Sequence, residues 1–130
     1  MSITINDLVT LAGQLANGAT EQEWRSAASR AYYADFHKAL EVADGCLPVY
    51  NVVMGEHERL TERLKKQGNK GKSLAYVLID HKKVRTRADY KLTKAFTQAD
   101  ATDLIALCPA FFQQADDFYN FVTAQSGTGP

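Results

Sequence analysis

The sequence lacks most features that would name a function at once. It has two cysteines, Cys46 and Cys108. They are too few and too far apart for a disulfide framework or a zinc site, and both read as reduced thiols. It lacks net charge, with fifteen basic and fifteen acidic residues, so global charge points to no class of partner. No apolar stretch approaches the length of a membrane span, which leaves a membrane role without support. Met1 to Leu15 has no basic leader followed by an apolar block, so the start does not read as a secretory signal. The expected setting is cytoplasmic. Strand-like alternation and internal repeats are missing too, which removes sheets and solenoids from consideration.

What is present fits one globular domain. The 130 residues are long enough to bury a core, and 45% hydrophobic with 23% charged is ordinary for such a chain. Charge is unevenly spread. From Arg63 to Lys94 there are eleven basic and two acidic residues, while the remainder has four basic and thirteen acidic. Such a block can form a surface for phosphate backbones. It can equally pack beside the acidic ends, within one fold or across a dimer, and charge alone does not choose.

Apolar periodicity and capping residues predict five helices. Asn6 is a candidate cap for the first, where Leu8, Leu11, Ala12 and Leu15 make one stripe. Asn17-Gly18 ends it. Thr20 and Glu23 form a capping box for the second, which runs to Asp44-Gly45. A loop with Pro48 follows. The third helix covers Val53 to Lys66, with Val53, His57, Leu60 and Leu64 on one face. Gly68-Asn69-Lys70-Gly71 reads as a break. Ser73 can cap a fourth helix that turns Leu74, Val77, Leu78 and His81 inward and fades near Tyr90. Thr97 can cap the last, whose Leu104, Cys108, Phe111, Ala115, Phe118 and Val122 form a bundle seam. Pro109 should kink it or break its first part. The expected fold is all-α, an antiparallel four- to five-helix bundle over residues 1–124, with 125–130 a disordered tail.

The second helix carries the residues with chemistry. At 100° per residue, His37 falls about 20° from Arg30, two turns on along the same face. Tyr33 and Glu41 lie near that line. The opposite face carries Trp24, Ala28, Tyr32, Phe36, Ala39 and Ala43, a stripe suited to burial. Asp35 sits towards that buried side and should need a basic partner. Histidine can take and return a proton near neutrality, and arginine can grip a phosphate with two donors. In RNA the 2′-hydroxyl is a nucleophile beside the scissile phosphate, so a base, an acid and a cation suffice for cleavage without metal. One histidine cannot easily be base and acid together; a two-fold dimer would bring two. The plain alternative is a solvated polar stripe, the usual content of such a face.

The run Ser29-Arg30-Ala31-Tyr32-Tyr33-Ala34-Asp35-Phe36-His37-Lys38-Ala39 resembles the S-R-A-Y-Y-A-x-F-H-x-A core of the HEPN family. Arg85-Thr86-Arg87-Ala88-Asp89-Tyr90 resembles the R-x-x-A-D-Y run of the same branch, and His57 sits where that branch tends to place a histidine. The resemblance spans roughly Thr20 to Val122. It implies a helical bundle that dimerises. It also implies a metal-independent endoribonuclease without cofactor, of the toxin–antitoxin or anti-phage defence kind. Arg30 and His37 would then be catalytic, matching the long end of R-x(4–6)-H, with Tyr33 supporting them by stacking a base or donating to a phosphate. Lys82, Lys83, Arg85 and Arg87 are candidates for RNA backbone contact, although a solvated charge run explains Lys82 and Lys83 equally simply. Arg85 and Asp89 are also spaced as an i,i+4 pair, and Asp89 could instead reach Arg30. Expected partners are a second copy, RNA, and an antitoxin, nucleotidyltransferase or other defence component. The competing expectation is a non-catalytic HEPN module that binds a partner protein or nucleic acid.

Overall fold

The computed structural model describes residues 2–127, which form five helices and no strand. They are α1 (Ile5–Ala16), α2 (Glu21–Cys46), α3 (Glu56–Lys65), α4 (Gly68–Tyr90) and α5 (Gln98–Gly127). The chain is thus an all-α helical bundle. Helix α2 lies at its centre and packs against all four others, while α5 packs along α2, α4 and α1. No helix among the described residues is long and apolar enough to cross a membrane.

The central position of α2 follows from its side chains. Ala27, Ala28, Ala31, Ala34, Ala39 and Ala43 are all fully buried, so neighbouring backbones can approach closely on several sides. Tyr32 and Phe36 supply the large buried area between them, as the periodicity predicts. From α4 come Leu74 and Leu78, and from α5 Leu104, Cys108, Phe111, Ala115 and Phe118 complete the core.

Several boundaries differ from the sequence reading, each for a local reason. Thr4, not Asn6, caps α1: its hydroxyl accepts from the Asp7 amide at 3.1 Å, and Asp7 accepts from the Thr4 amide at 2.8 Å. Leu11 is 41% exposed, and Ala16 is buried in the stripe instead. Helix α3 starts only at Glu56, which leaves Val53 in the preceding loop and 97% exposed. The segment 68–71 is not a break but the first turn of α4. Gly68 takes a φ of 74°, in the left-handed region, and turns the chain sharply from α3 into α4. A Cβ on Gly71 would sit 2.2 Å from the Leu64 carbonyl oxygen, so glycine lets the two helices touch there. Pro109 lies on the exposed side of α5, which continues through it rather than breaking. Helix α5 also extends to Gly127, so residues 125–127 of the expected tail are helical, and residues 128–130 lie outside the described part.

Two buried arginines hold helix ends. Arg25 on α2 donates to the carbonyls of Arg87, Ala88, Lys91 and Lys94, closing the C-terminus of α4. Arg63 on α3 donates to Leu47 and Pro48 carbonyls and pairs with Asp44 at 2.7 Å, closing the end of α2. Carbonyls at a helix end lack internal partners, and a cation there also meets the negative end of the helix dipole.

Candidate functional site

Arg30, Tyr33 and His37 occupy successive turns of one face of α2. His37 is exposed, and Arg30 and Tyr33 are half-buried. Arg30 is flanked by the buried Ala27, Ala31 and Ala34. Tyr33 links the pair. The Arg30 guanidinium carbon lies 5.6 Å from its ring centre, and the His37 ring lies 6.4 Å from it. Arg30 has no ion pair among the described residues. All three line a groove of ≈1000 Å³. Its other walls include Ile3 just before α1, Ile5 and Leu8 of α1, Lys38, Leu40, Glu41 and Asp44 of α2, and Phe112 of α5.

Helix α4 joins the site through Arg85. Its Nη2 donates to the Tyr33 hydroxyl at 2.9 Å, and its Nε faces the Asp89 carboxylate at 2.9 Å. Asp89 also accepts from the Ser29 hydroxyl at 3.1 Å. The runs 29–39 and 85–90 therefore meet in space: Ser29 and Tyr33 from the first, Arg85 and Asp89 from the second. Asp89 pairs with Arg85, not with Arg30. Arg85 also stands 5.3 Å from the ring centres of both Tyr33 and Tyr90.

The four candidate RNA-contacting residues do not share one surface. Arg85 turns towards Tyr33. Arg87 pairs with Asp100 at 3.0 Å and lies over Phe96. Lys83 pairs with Asp80 at 3.6 Å, with both side chains well exposed. Lys82, Lys83 and Arg87 line a second, smaller hollow of ≈290 Å³ with Lys91. Part of the basic block is thus answered within the fold, and Arg63–Asp44 and Arg87–Asp100 link it to the acidic remainder.

His57 forms part of the aromatic wall. Its Nδ1 lies 2.8 Å from the Tyr32 hydroxyl, and its ring centre is 4.3 Å from that of Phe36 and 6.0 Å from that of Tyr33. Burial pushes its pKa below the ordinary value, and the nearby charges of Lys82 and Arg85 add to this. Nothing in the sequence spacing linked Tyr32 to His57, because the loop 47–55 separates their helices.

The basic partner expected for Asp35 is His81, with Nδ1 at 2.6 Å from Oδ2 in the core between α2 and α4. Both residues are buried. Burial raises the Asp35 carboxyl above its usual range, against the opposing pull of His81. Cys108 lies in the same pocket, its thiol pushed upward by burial and by Asp35. These groups are sealed from solvent and form a structural unit rather than part of the open groove. Both cysteines are free. No family model, curated protein or solved structure matches the chain.

Proposed function

We propose that the chain is a HEPN-like, metal-independent endoribonuclease that works as a homodimer, in a toxin or defence setting. The observation that supports this reading best is the Arg30–Tyr33–His37 face: an arginine without a carboxylate partner and an exposed histidine, one turn on either side of the same tyrosine, along one groove. Arg30 would neutralise the phosphate as negative charge builds on its oxygens. His37 would take the proton from the 2′-hydroxyl, and the attack on phosphorus would release the 5′-oxygen, which needs a proton of its own. His37 of a second copy can supply it, which is the reason for the dimer. The products are a 2′,3′-cyclic phosphate and a 5′-hydroxyl. Tyr33, held by Arg85, supports the site by stacking a base.

The test is RNA cleavage by wild type, Arg30→Ala and His37→Ala at matched folding. Cleavage is expected to survive EDTA and to vanish when the nucleotide at the cut site is 2′-deoxy. His37→Ala should lose about a hundredfold or more in rate, and Arg30→Ala a comparable amount. Activity that survives both substitutions overturns the reading.

One observation favours a second reading, a non-catalytic module. The groove walls include Ile3, Ile5, Leu8 and Phe112, with the carboxylates of Glu41 and Asp44. Apolar walls with acidic groups suit a polypeptide segment, such as an antitoxin or nucleotidyltransferase partner, better than a phosphate chain. A wild type that cleaves no RNA, alone or freed from its partner, moves the assignment to this module.

A further inference from the structure

Building on the ribonuclease reading, we propose that His57, held by Tyr32 with its proton on Nε2, donates a hydrogen bond to a phosphodiester oxygen of a strand lying across Tyr33. Tyr32 is the positioning residue. His57 neither gives up nor takes a proton in the reaction, which leaves proton transfer to His37.

The tautomer follows from satisfying a buried hydroxyl. Tyr32 is fully buried, and burial raises its phenol well above the usual range, so the hydroxyl keeps its proton. A buried O–H needs an acceptor, and the one it meets is Nδ1 of His57 at 2.8 Å. Nδ1 must then present its lone pair, which puts the ring proton on Nε2. Protonating the ring would place a second donor against the tyrosine O–H and orphan it. The surrounding charges act in the same sense. Lys82 and Arg85 on α4 and His37 on α2 all disfavour a cationic His57, and Glu56 beside it on α3 opposes them.

The ring is also fixed in place. It stacks on Tyr32 with centres 5.4 Å apart, packs on Phe36 at 4.3 Å and meets the edge of Tyr33 at 6.0 Å. A donor held this way need not reorganise when charge develops on its acceptor. Nε2 makes no hydrogen bond among the described residues, and the ring is half-buried rather than sealed. Lys82, which has no ion pair among the described residues, together with Arg85, part-balanced by Asp89, outweighs Glu56 at the ring, so an anionic oxygen fits the vacant donor better than a neutral carbonyl. Tyr33 ties this side to the groove, because both Arg30 and Arg85 lie against its ring.

The experiment uses the full chain labelled with 15N-histidine. Long-range 1H–15N correlation is expected to show His57 as the Nε2–H tautomer, titrating below an ordinary histidine. Tyr32→Phe should mix the tautomers and raise the His57 midpoint. Inorganic phosphate, and then uridine 2′,3′-cyclic phosphate, should shift the His57 Nε2 signal. His57→Ala should weaken binding of the cyclic nucleotide roughly tenfold, and His57→Gln, whose amide N–H stands near the Nε2 position, should restore most of it. A structural role alone would leave His57→Ala and His57→Gln equally impaired. An Nδ1–H tautomer, or an Nε2 signal that neither probe moves, overturns the inference. Cleavage by the wild type with an unmoved Nε2 sinks this inference and leaves the ribonuclease reading. A responsive Nε2 without cleavage does the reverse.

Discussion

At the scale of single residues, the chain separates its ionisable groups by exposure. His37 is open to solvent, His57 is half-buried on an aromatic wall, and His81 is sealed in the core beside Asp35. Their expected behaviour differs accordingly. Folded His57 holds its proton less tightly than an ordinary histidine at 6.5. Below that value the unfolded chain takes up a proton that the folded chain still resists, so acidification favours unfolding. Its contribution to stability is complete above about pH 7 and falls as pH drops through 6.5 towards the folded value. Thermal melts between about pH 7.5 and 5.5 should show a steeper loss for wild type than for His57→Gln. His81 should matter through burial instead. His81→Ala leaves the buried Asp35 carboxyl without its hydrogen-bond partner, which costs about 1–3 kcal/mol. Urea denaturation checks this. The double change Asp35→Leu with His81→Leu should recover much of the loss, since it leaves no buried charge. A His81→Ala variant as stable as wild type would show that the pair contributes little.

At the scale of elements, the junctions are set by chemistry at a few points. The α3–α4 corner depends on Gly68 for its left-handed backbone and on Gly71 for close approach to Leu64. Gly71→Ala forces the new methyl group against a backbone carbonyl, which cannot rotate away, and should cost roughly 1–3 kcal/mol. Gly55→Ala is the control, because nothing lies within 4 Å of its added Cβ. Equal denaturation midpoints for the two variants would remove the packing explanation. Arg25 and Arg63 show the same economy at the helix ends: each satisfies several carbonyls that the helix itself cannot. Arginine can do this because its guanidinium fork carries five donors in one plane, whereas lysine carries a compact charge.

At the scale of the molecule, the uneven charge of the sequence is partly answered by ion pairs. Arg63, Arg85 and Arg87 face Asp44, Asp89 and Asp100, so a basic block in the sequence does not become an equally basic surface. The exposed Lys83–Asp80 pair adds little to stability. The α2 face carries Arg30 without an ion pair among the described residues, and a second copy placed on its groove would supply the second histidine. Light scattering at micromolar concentration should therefore give about twice the 14.4 kDa chain mass. A Leu40→Glu change at the groove wall should shift that value towards the monomer. A strict monomer for the wild type, free of other partners, would count against the composite site.

The sequence by itself determined that there are five helices and most of their inward faces, because helical periodicity is a local property. Tyr32, Phe36, Leu78, His81 and Phe118 could be placed inside from spacing alone, and the need of Asp35 for a basic partner followed from its angle on α2. Arg30, Tyr33 and His37 could be put on one face for the same reason. The Thr4 cap was not legible, since neighbouring polar residues compete for it and hydrogen bonding decides between them, and the start of α3 at Glu56 was not legible because Gly55 before it makes no side-chain capping bond. The tertiary structure decided every contact between helices. It chose His81 for Asp35, Tyr33 for Arg85 and Tyr32 for His57, and it gave Arg25 and Arg63 their carbonyls. These pairings join residues from separate helices, so they depend on how helices rotate and dock, which a one-dimensional pattern does not encode.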